Sequence, residues 1–432
     1  MIKPILLAAG AAALFGLAAP ALAQSVVITN ARVLDGTGKL VEHGSIVARD
    51  GRIVSVSDGP PAATPPGARR IDAHGRTVLP AFIDDHRHLI KGAPKPWLAD
   101  KAPHEMQRFL EAGFTTVWSM GDDPETILEL RSRLASGAIA GPRLYAAKIL
   151  PVAKGFPEPA VPPVLNGPWR DPGRFDAARP PARPVKAPEA LPDADIRAEA
   201  DQAKAQGFDA LKVILIDTPG GPQGHGLAVL ADEGHKLGLR TFVHATHYFD
   251  TLTAVNAHID VLAHTPHIGQ LEENDAAVQR IADAHIPMVS TLQVFMPHFD
   301  QTNQPLFRDG GPFPMPRPLS SAGQGPVNAR LLWDKGVVYA FGTDTQWDPR
   351  ESLRDELRGL SLVFSPRDIL TIMGPNSAAV AGRAADLGTL EPGKLADIVI
   401  VDGDPLDDIY ALTRVVTVVK EGRVVVDKSA SR

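Results

Sequence analysis

The chain has 432 residues, 44% of them hydrophobic, with 44 Lys and Arg against 50 Asp and Glu for a formal net charge of −6. That length and apolar content can bury a large core, enough for one big barrel with an appended domain. The absence of cysteine excludes disulfides, thiolate nucleophiles and cysteine-rich zinc sites, and no basic block interleaved with aromatics points to nucleic acid.

In chain order, residues 1–23 read as a signal peptide. Lys3 gives a positive start, Ile5 to Ala19 an apolar stretch, and Ala21-Leu22-Ala23 a small-residue cleavage site before Gln24. The stretch is short for a bilayer span and ends at Pro20, so the expectation is a periplasmic or secreted protein with no stable membrane anchor after cleavage. Loss of Lys3, the single charge in that segment, takes the net charge from −6 to −7.

Short β-type runs follow at Val26 to Asn30, Gly44 to Ala48 and Arg52 to Val56, separated by Gly and Asp turns. The far end repeats the style at Asp397 to Val401, Val415 to Lys420 and Arg423 to Val426. Between them, eight strand-like runs alternate with helix-like stretches: Val78 to Ile83, Thr115 to Ser119, Leu144 to Leu150, Ala210 to Leu215, Thr241 to Ala245, Val261 to His264, Met288 to Leu292 and Val338 to Thr343. Stretches such as Ile196 to Gln206 and Gly226 to Leu237 have helical amphipathic spacing. Eight such units predict an α/β fold, a (β/α)₈ TIM-like barrel. Two insertions break the rhythm, at 151–193, which carries 12 of the 40 prolines, and at 294–327, with Phe295, Phe299, Phe307 and Phe313. Both follow barrel strands and are expected to wall or cover the substrate pocket, with disorder the competing reading for the first.

Six residues at or near the ends of apolar runs stand out: His86, His88, Lys212, His244, His264 and Asp344. A single histidine in an apolar strand is more often an ordinary core or surface residue. His86 and His88 are better evidence, because residues two apart on a strand share a face. Lys212 could snorkel from a strand end, yet it interrupts a continuous apolar run where an unpaired ammonium is costly. Asp344 could simply begin a turn. Together, imidazoles and a carboxylate at strand ends have the composition of a two-metal hydrolytic centre, with zinc the ion that best suits them.

On these motifs the chain resembles the amidohydrolase superfamily, in the branch of imidazolonepropionase-like hydrolases and Xaa-Pro or Xaa-Arg/Lys dipeptidases. The lead-in Pro80-Ala81-Phe82-Ile83-Asp84 differs from the family's usual pattern by Ala81 in place of glycine. The resemblance implies that His86 and His88 end the first barrel strand, that Lys212 on the fourth is carboxylated by CO₂ and bridges two divalent ions, that His244 and His264 come from the fifth and sixth, and that Asp344 comes from the eighth. It further implies a composite β-sandwich domain from both termini, residues 24–80 and 384–432, re-entered through Gly388 to Asp397, around a barrel of residues 81–383.

The expected activity is hydrolysis of an amide or peptide-like C–N bond in a small molecule (a dipeptide, an N-acyl amino acid or an aromatic amide) by a metal-activated hydroxide, with Asp344 as general base. His247 and Tyr248 are candidates to hydrogen-bond the tetrahedral intermediate; ordinary loop or helix-start roles compete. A lactonase or esterase with the same centre is the runner-up, and a non-catalytic periplasmic binding protein the non-enzymatic alternative. A mononuclear deaminase fits less well, since that branch typically lacks the bridging lysine and has a glutamate where this chain reads His244-Ala245-Thr246-His247. Partners are limited to a small-molecule substrate, with a homo-oligomer possible.

Overall fold

Two β-systems organise the chain, and they differ because their strands are covered differently. The computed structural model describes residues 25–157, 186–295 and 324–429. The signal peptide, the middle of the first insertion and most of the second, including Phe299, Phe307 and Phe313, lie outside the described residues.

The first system draws strands from both ends of the chain. Strands β1 (Val26–Leu34), β2 (Leu40–Arg49), β3 (Arg52–Asp58), β4 (Arg69–Asp72) and β5 (Thr77–Pro80) come from the N-terminal part. Strands β14 (Ile398–Val401), β15 (Val415–Lys420) and β16 (Arg423–Asp427) come from the C-terminal part. The hydrogen-bonded order is β16-β15-β14-β5-β1-β2-β3, with β4 paired to β1, so the two ends meet where β5 runs antiparallel to β14. Alternation along β1 and β2 directs Val26, Ile28, Val33, Ile46 and Ala48 into a separate core with Ile398, Ile400 and Val419. Each buried Val or Ile among them contributes about 1.5–3 kcal/mol.

The second system is the barrel. Strands β6 (Phe82–Arg87), β7 (Phe114–Ser119), β8 (Arg143–Ile149), β9 (Ala210–Ile214), β10 (Arg240–His244), β11 (Val261–Leu262), β12 (Met288–Val289) and β13 (Tyr339–Ala340) pair in sequence order, all parallel. Helices between them include Asp193–Ala205 and Gln223–Leu237, one turn or less from the expected bounds. The ring is closed by backbone bonds between the first and last strands: Asp85 N–H to Phe341 O at 2.9 Å, Asp344 N–H to His86 O at 2.7 Å and His88 N–H to Thr345 O at 3.3 Å. Small and medium inward residues, among them Ile83, Ala147, Ala210, Val261, Val289 and Ala340, fill the interior around Trp118 and Phe242.

The run Val78 to Ile83, expected as one strand, is divided between the two systems. Thr77–Pro80 belongs to the terminal sheet and Phe82 onward to the barrel, with the Ala81 N–H bonded to Asp397 O at 3.0 Å at the joint. Both halves are buried on both faces, which is why the sequence shows no seam. Arg143 reinforces the junction by pairing with Asp397 and Glu421 of the terminal sheet's side.

Candidate metal centre

All six singled-out side chains converge at the carboxyl ends of the strands. Lys212 lies within β9 and His244 ends β10, whereas His88, His264 and Asp344 lie just beyond their strands. The Asp344 carboxylate is the hub. Its Oδ1 is 3.0 Å from His88 Nε2 and 3.3 Å from His86 Nε2, and its Oδ2 is 3.9 Å from His264 Nε2. Lys212 Nζ is 3.4 Å from His86 Nε2, and the His86 and His244 rings lie 4.7 and 4.3 Å from the His264 ring. His86, His88 and Asp344 also present one ligand atom each within 4.8 Å of one another.

The surroundings set the protonation of these groups. Burial, aided by the neighbouring lysine, pushes His86 down to about 4 and His244 to about 3, and burial holds His264 well below its ordinary value. His88 is displaced the other way: burial opposes its charge, but its hydrogen bond to Asp344 prevails. Burial lowers Lys212 to about 7. Burial would raise Asp344, yet the imidazoles around it hold it well below the usual carboxylate range. Burial thus favours the uncharged imidazole at His86, His244 and His264, the form in which a histidine can ligate a metal. His86 Nδ1 lies 2.9 Å from the Ala263 carbonyl; a carbonyl only accepts, so this nitrogen carries the proton and Nε2 offers its lone pair to the cluster.

A shell of buried groups fixes these side chains. Arg87, between the paired histidines, points away from them. Its guanidinium donates to Thr343 Oγ1 at 2.8 Å, to Thr345 Oγ1 at 2.7 Å and to the Trp347 carbonyl, and it lies 5.1 Å over the Phe109 ring. Asp84 accepts from the Thr343 N–H at 3.1 Å and hydroxyl at 2.7 Å. Asp122 accepts from the N–H groups of Leu89 and Ile90 directly after His88. Close approach of β13 to β6 requires Gly342: a Cβ there would lie 2.3 Å from Val289 Cγ1 and 2.9 Å from His86 Cβ. Motif and spacing alone do not reach these supporting residues, although Arg87, a cation set between the two histidines, is a visible signal.

His247 and Tyr248 have partners outside the cluster. His247 is the N-cap of helix Tyr248–Asn256, its Nδ1 accepting from the Phe249 N–H at 3.1 Å, and its ring stacks on Phe249 at 5.0 Å. The Tyr248 ring is buried against Gly269, where a Cβ would come within 2.2 Å of it.

The likeness to known proteins is extensive. The model of the amidohydrolase family matches residues 77–425. An imidazolonepropionase of Caldanaerobacter subterraneus subsp. tengcongensis is 24% identical over 431 residues, covering 88% of this chain and 89% of that protein. A 5-methylthioadenosine/S-adenosylhomocysteine deaminase of Symbiobacterium thermophilum is 25% identical, with 93% of each chain covered. Among solved structures, a Xaa-Pro dipeptidase with methionine bound in its active site superposes with a TM-score of 0.71 at 23% identity, over 93% of this chain and 99% of that one. With the barrel, the terminal sheet and a family match spanning most of its length, the chain belongs to the amidohydrolase family and is a hydrolase acting on carbon–nitrogen bonds.

Proposed function

We propose that the protein cleaves an amide or peptide-like C–N bond of a small molecule at a binuclear metal centre held by His86, His88, Lys212, His244, His264 and Asp344, with zinc as the metal and Lys212 carried as its CO₂ carbamate. The observation that carries this reading is the meeting of Asp344 Oδ1 with both His86 and His88 Nε2, with Lys212 Nζ within 3.4 Å of the same His86 nitrogen. The donor set fits divalent zinc: imidazole nitrogens and a carboxylate oxygen at one point. Carboxylation would turn Lys212 from a buried cation into an anionic ligand, which removes the cost of an ammonium that is 2% exposed among imidazoles. When bound, such ions lower the pKa of water towards neutrality and polarise a carbonyl.

The chain's own residues supply the rest. Asp344, ionised by its surroundings, would accept the proton of the attacking water and hand it to the leaving amine. His86 presents Nε2 because Ala263 holds its Nδ1. With Nδ1 of His247 engaged by Phe249, its Nε2 would be the atom to meet the developing oxyanion, with Tyr248 beside it. The dipeptidase among the solved structures and the imidazolonepropionase relatives favour a dipeptide or cyclic amide over an ester. The deaminase relative offers a second reading, but Lys212 in the cluster and Ala245-Thr246 after His244 favour amide hydrolysis. Export to the periplasm, by cleavage after Ala23, is part of the same proposal.

The test is elemental analysis of the mature protein grown with added zinc and bicarbonate, joined to turnover of dipeptides, N-acyl amino acids, aromatic amides and matched esters. Close to two zinc ions per chain with turnover of an amide is the expected result. One metal or fewer would argue against the binuclear centre, and hydrolysis of esters alone would favour the lactonase reading.

A further inference from the structure

We propose that Glu356 is a positioning residue for the centre, one that aims His264 and the Asp344 loop by clamping the backbone after β12. The inference rests on the metal reading above for its functional meaning, and its geometry stands by itself. Glu356 lies on helix Pro349–Ser361 and is wholly buried. Its two carboxylate oxygens are shared between successive peptides, Oε1 accepting from the Leu292 N–H at 3.0 Å and Oε2 from the Gln293 N–H at 2.9 Å.

The clamped segment is strained and points at the ligands. Thr291 has φ +44°, a left-handed conformation that a β-branched residue adopts only when its surroundings enforce it. In that conformation its Oγ1 sits 2.9 Å from His264 Nδ1, the ring nitrogen opposite the one facing Asp344. Gln293 Nε2 donates to the Thr343 carbonyl at 3.3 Å and to the Ser352 carbonyl at 3.1 Å. Thr343 precedes Asp344, which is itself left-handed at φ +46°. One carboxylate therefore holds the peptide pair from which a hydroxyl reaches one ligand and an amide reaches the backbone of another. A role limited to helix stability would not require both oxygens on the strand-end turn.

The variants are Glu356→Gln, which keeps one accepting oxygen but turns an amide against the second N–H, and Thr291→Val, which removes the hydroxyl while keeping the shape. Each is made in the full-length protein, and Ile46→Ala in the terminal core serves as the control for general destabilisation. Metal-stripped proteins are titrated with zinc against a chromophoric chelator, and metal-free Glu356→Gln is crystallised. Loss of a partner behind a ligand typically costs about 10–100-fold in metal affinity, so Glu356→Gln and Thr291→Val should each weaken zinc by that order. The double variant should be little weaker than either, because both act along one path. Ile46→Ala should lower the urea midpoint and leave zinc affinity alone. Zinc affinity in Glu356→Gln that falls no further than in Ile46→Ala would overturn the positioning role. If the wild type takes up no zinc, the metal reading fails instead, and the crystal structure decides: Thr291 displaced from His264 supports the clamp, and an unchanged Thr291–His264 bond overturns it.

Discussion

Asp344 and Glu356 are both carboxylates sunk into the same end of the barrel, and their surroundings drive them in opposite directions. Asp344 faces imidazoles and is held well below the usual carboxylate range. Glu356 faces the Ser290 hydroxyl, two backbone N–H groups and a second acid, Asp84; burial raises it to about 7 despite the hydrogen bonds it accepts. Two peptide donors and a hydroxyl thus do not offset the loss of water at Glu356, whereas the histidines around Asp344 do. The loop after β13 carries charge suited to chemistry, and the helix behind it carries an acid suited to holding shape.

The charged half of this contrast depends most heavily on Lys212. Lys212→Ala removes a neighbour of His86 and the bridging ligand of the proposed centre, and should abolish nearly all turnover and lower bound zinc, with partial rescue by small carboxylic acids. Full turnover with full metal content would overturn the carbamate. Asp344→Asn keeps size and an oxygen but cannot accept a proton, so kcat should fall by about 10²–10⁴ while zinc falls less than in His264→Ala. Near-normal kcat would remove Asp344 as the base and leave His247 as the next candidate.

Arg87 tests the scaffold beneath Asp344. The residue is 1% exposed, and its guanidinium lies 4.0 Å from Asp84 and holds Thr343 and Thr345 on either side of Asp344. Arg87→Met leaves Asp84 without its cation and should cost about 3–5 kcal/mol in urea unfolding; a loss within that of an exposed arginine would show that the pair contributes little.

Asp250 extends the contrast to a third buried carboxylate, also held by backbone donors. It accepts from the Asp217 N–H at 3.0 Å and from the His247 N–H, yet burial, together with the charge of Asp217, raises it to about 7. The folded chain then keeps a proton that the unfolded chain loses above about pH 4, so stability falls as pH rises from there to about 7 and is flat beyond. Asp250→Asn should match the wild type near pH 4 and exceed it by about 1–3 kcal/mol at pH 8, since a tenfold change in proton affinity corresponds to about 1.4 kcal/mol. Equal urea midpoints at both pH values would show that Asp250 is solvated.

Periodic and local features were legible in the sequence alone. Eight apolar runs alternating with helical stretches announced the barrel, and His86, His88, Lys212, His244, His264 and Asp344 were legible because strand ends on one rim must face one another once the ring closes. The rest followed from tertiary structure. The run Val78 to Ile83 divides at Ala81 between two separate sheets whose strands are both buried at this joint, so hydropathy carries no mark of the change. Thr291 and Glu356 could not be found by spacing: their partners lie 27 and 64 positions away in the chain, and a threonine at a strand end or a glutamate on a helix has an ordinary local reason to be there. Only closure of the barrel, which sets the turn after β12 against the helix after β13, gives those two side chains their shared task.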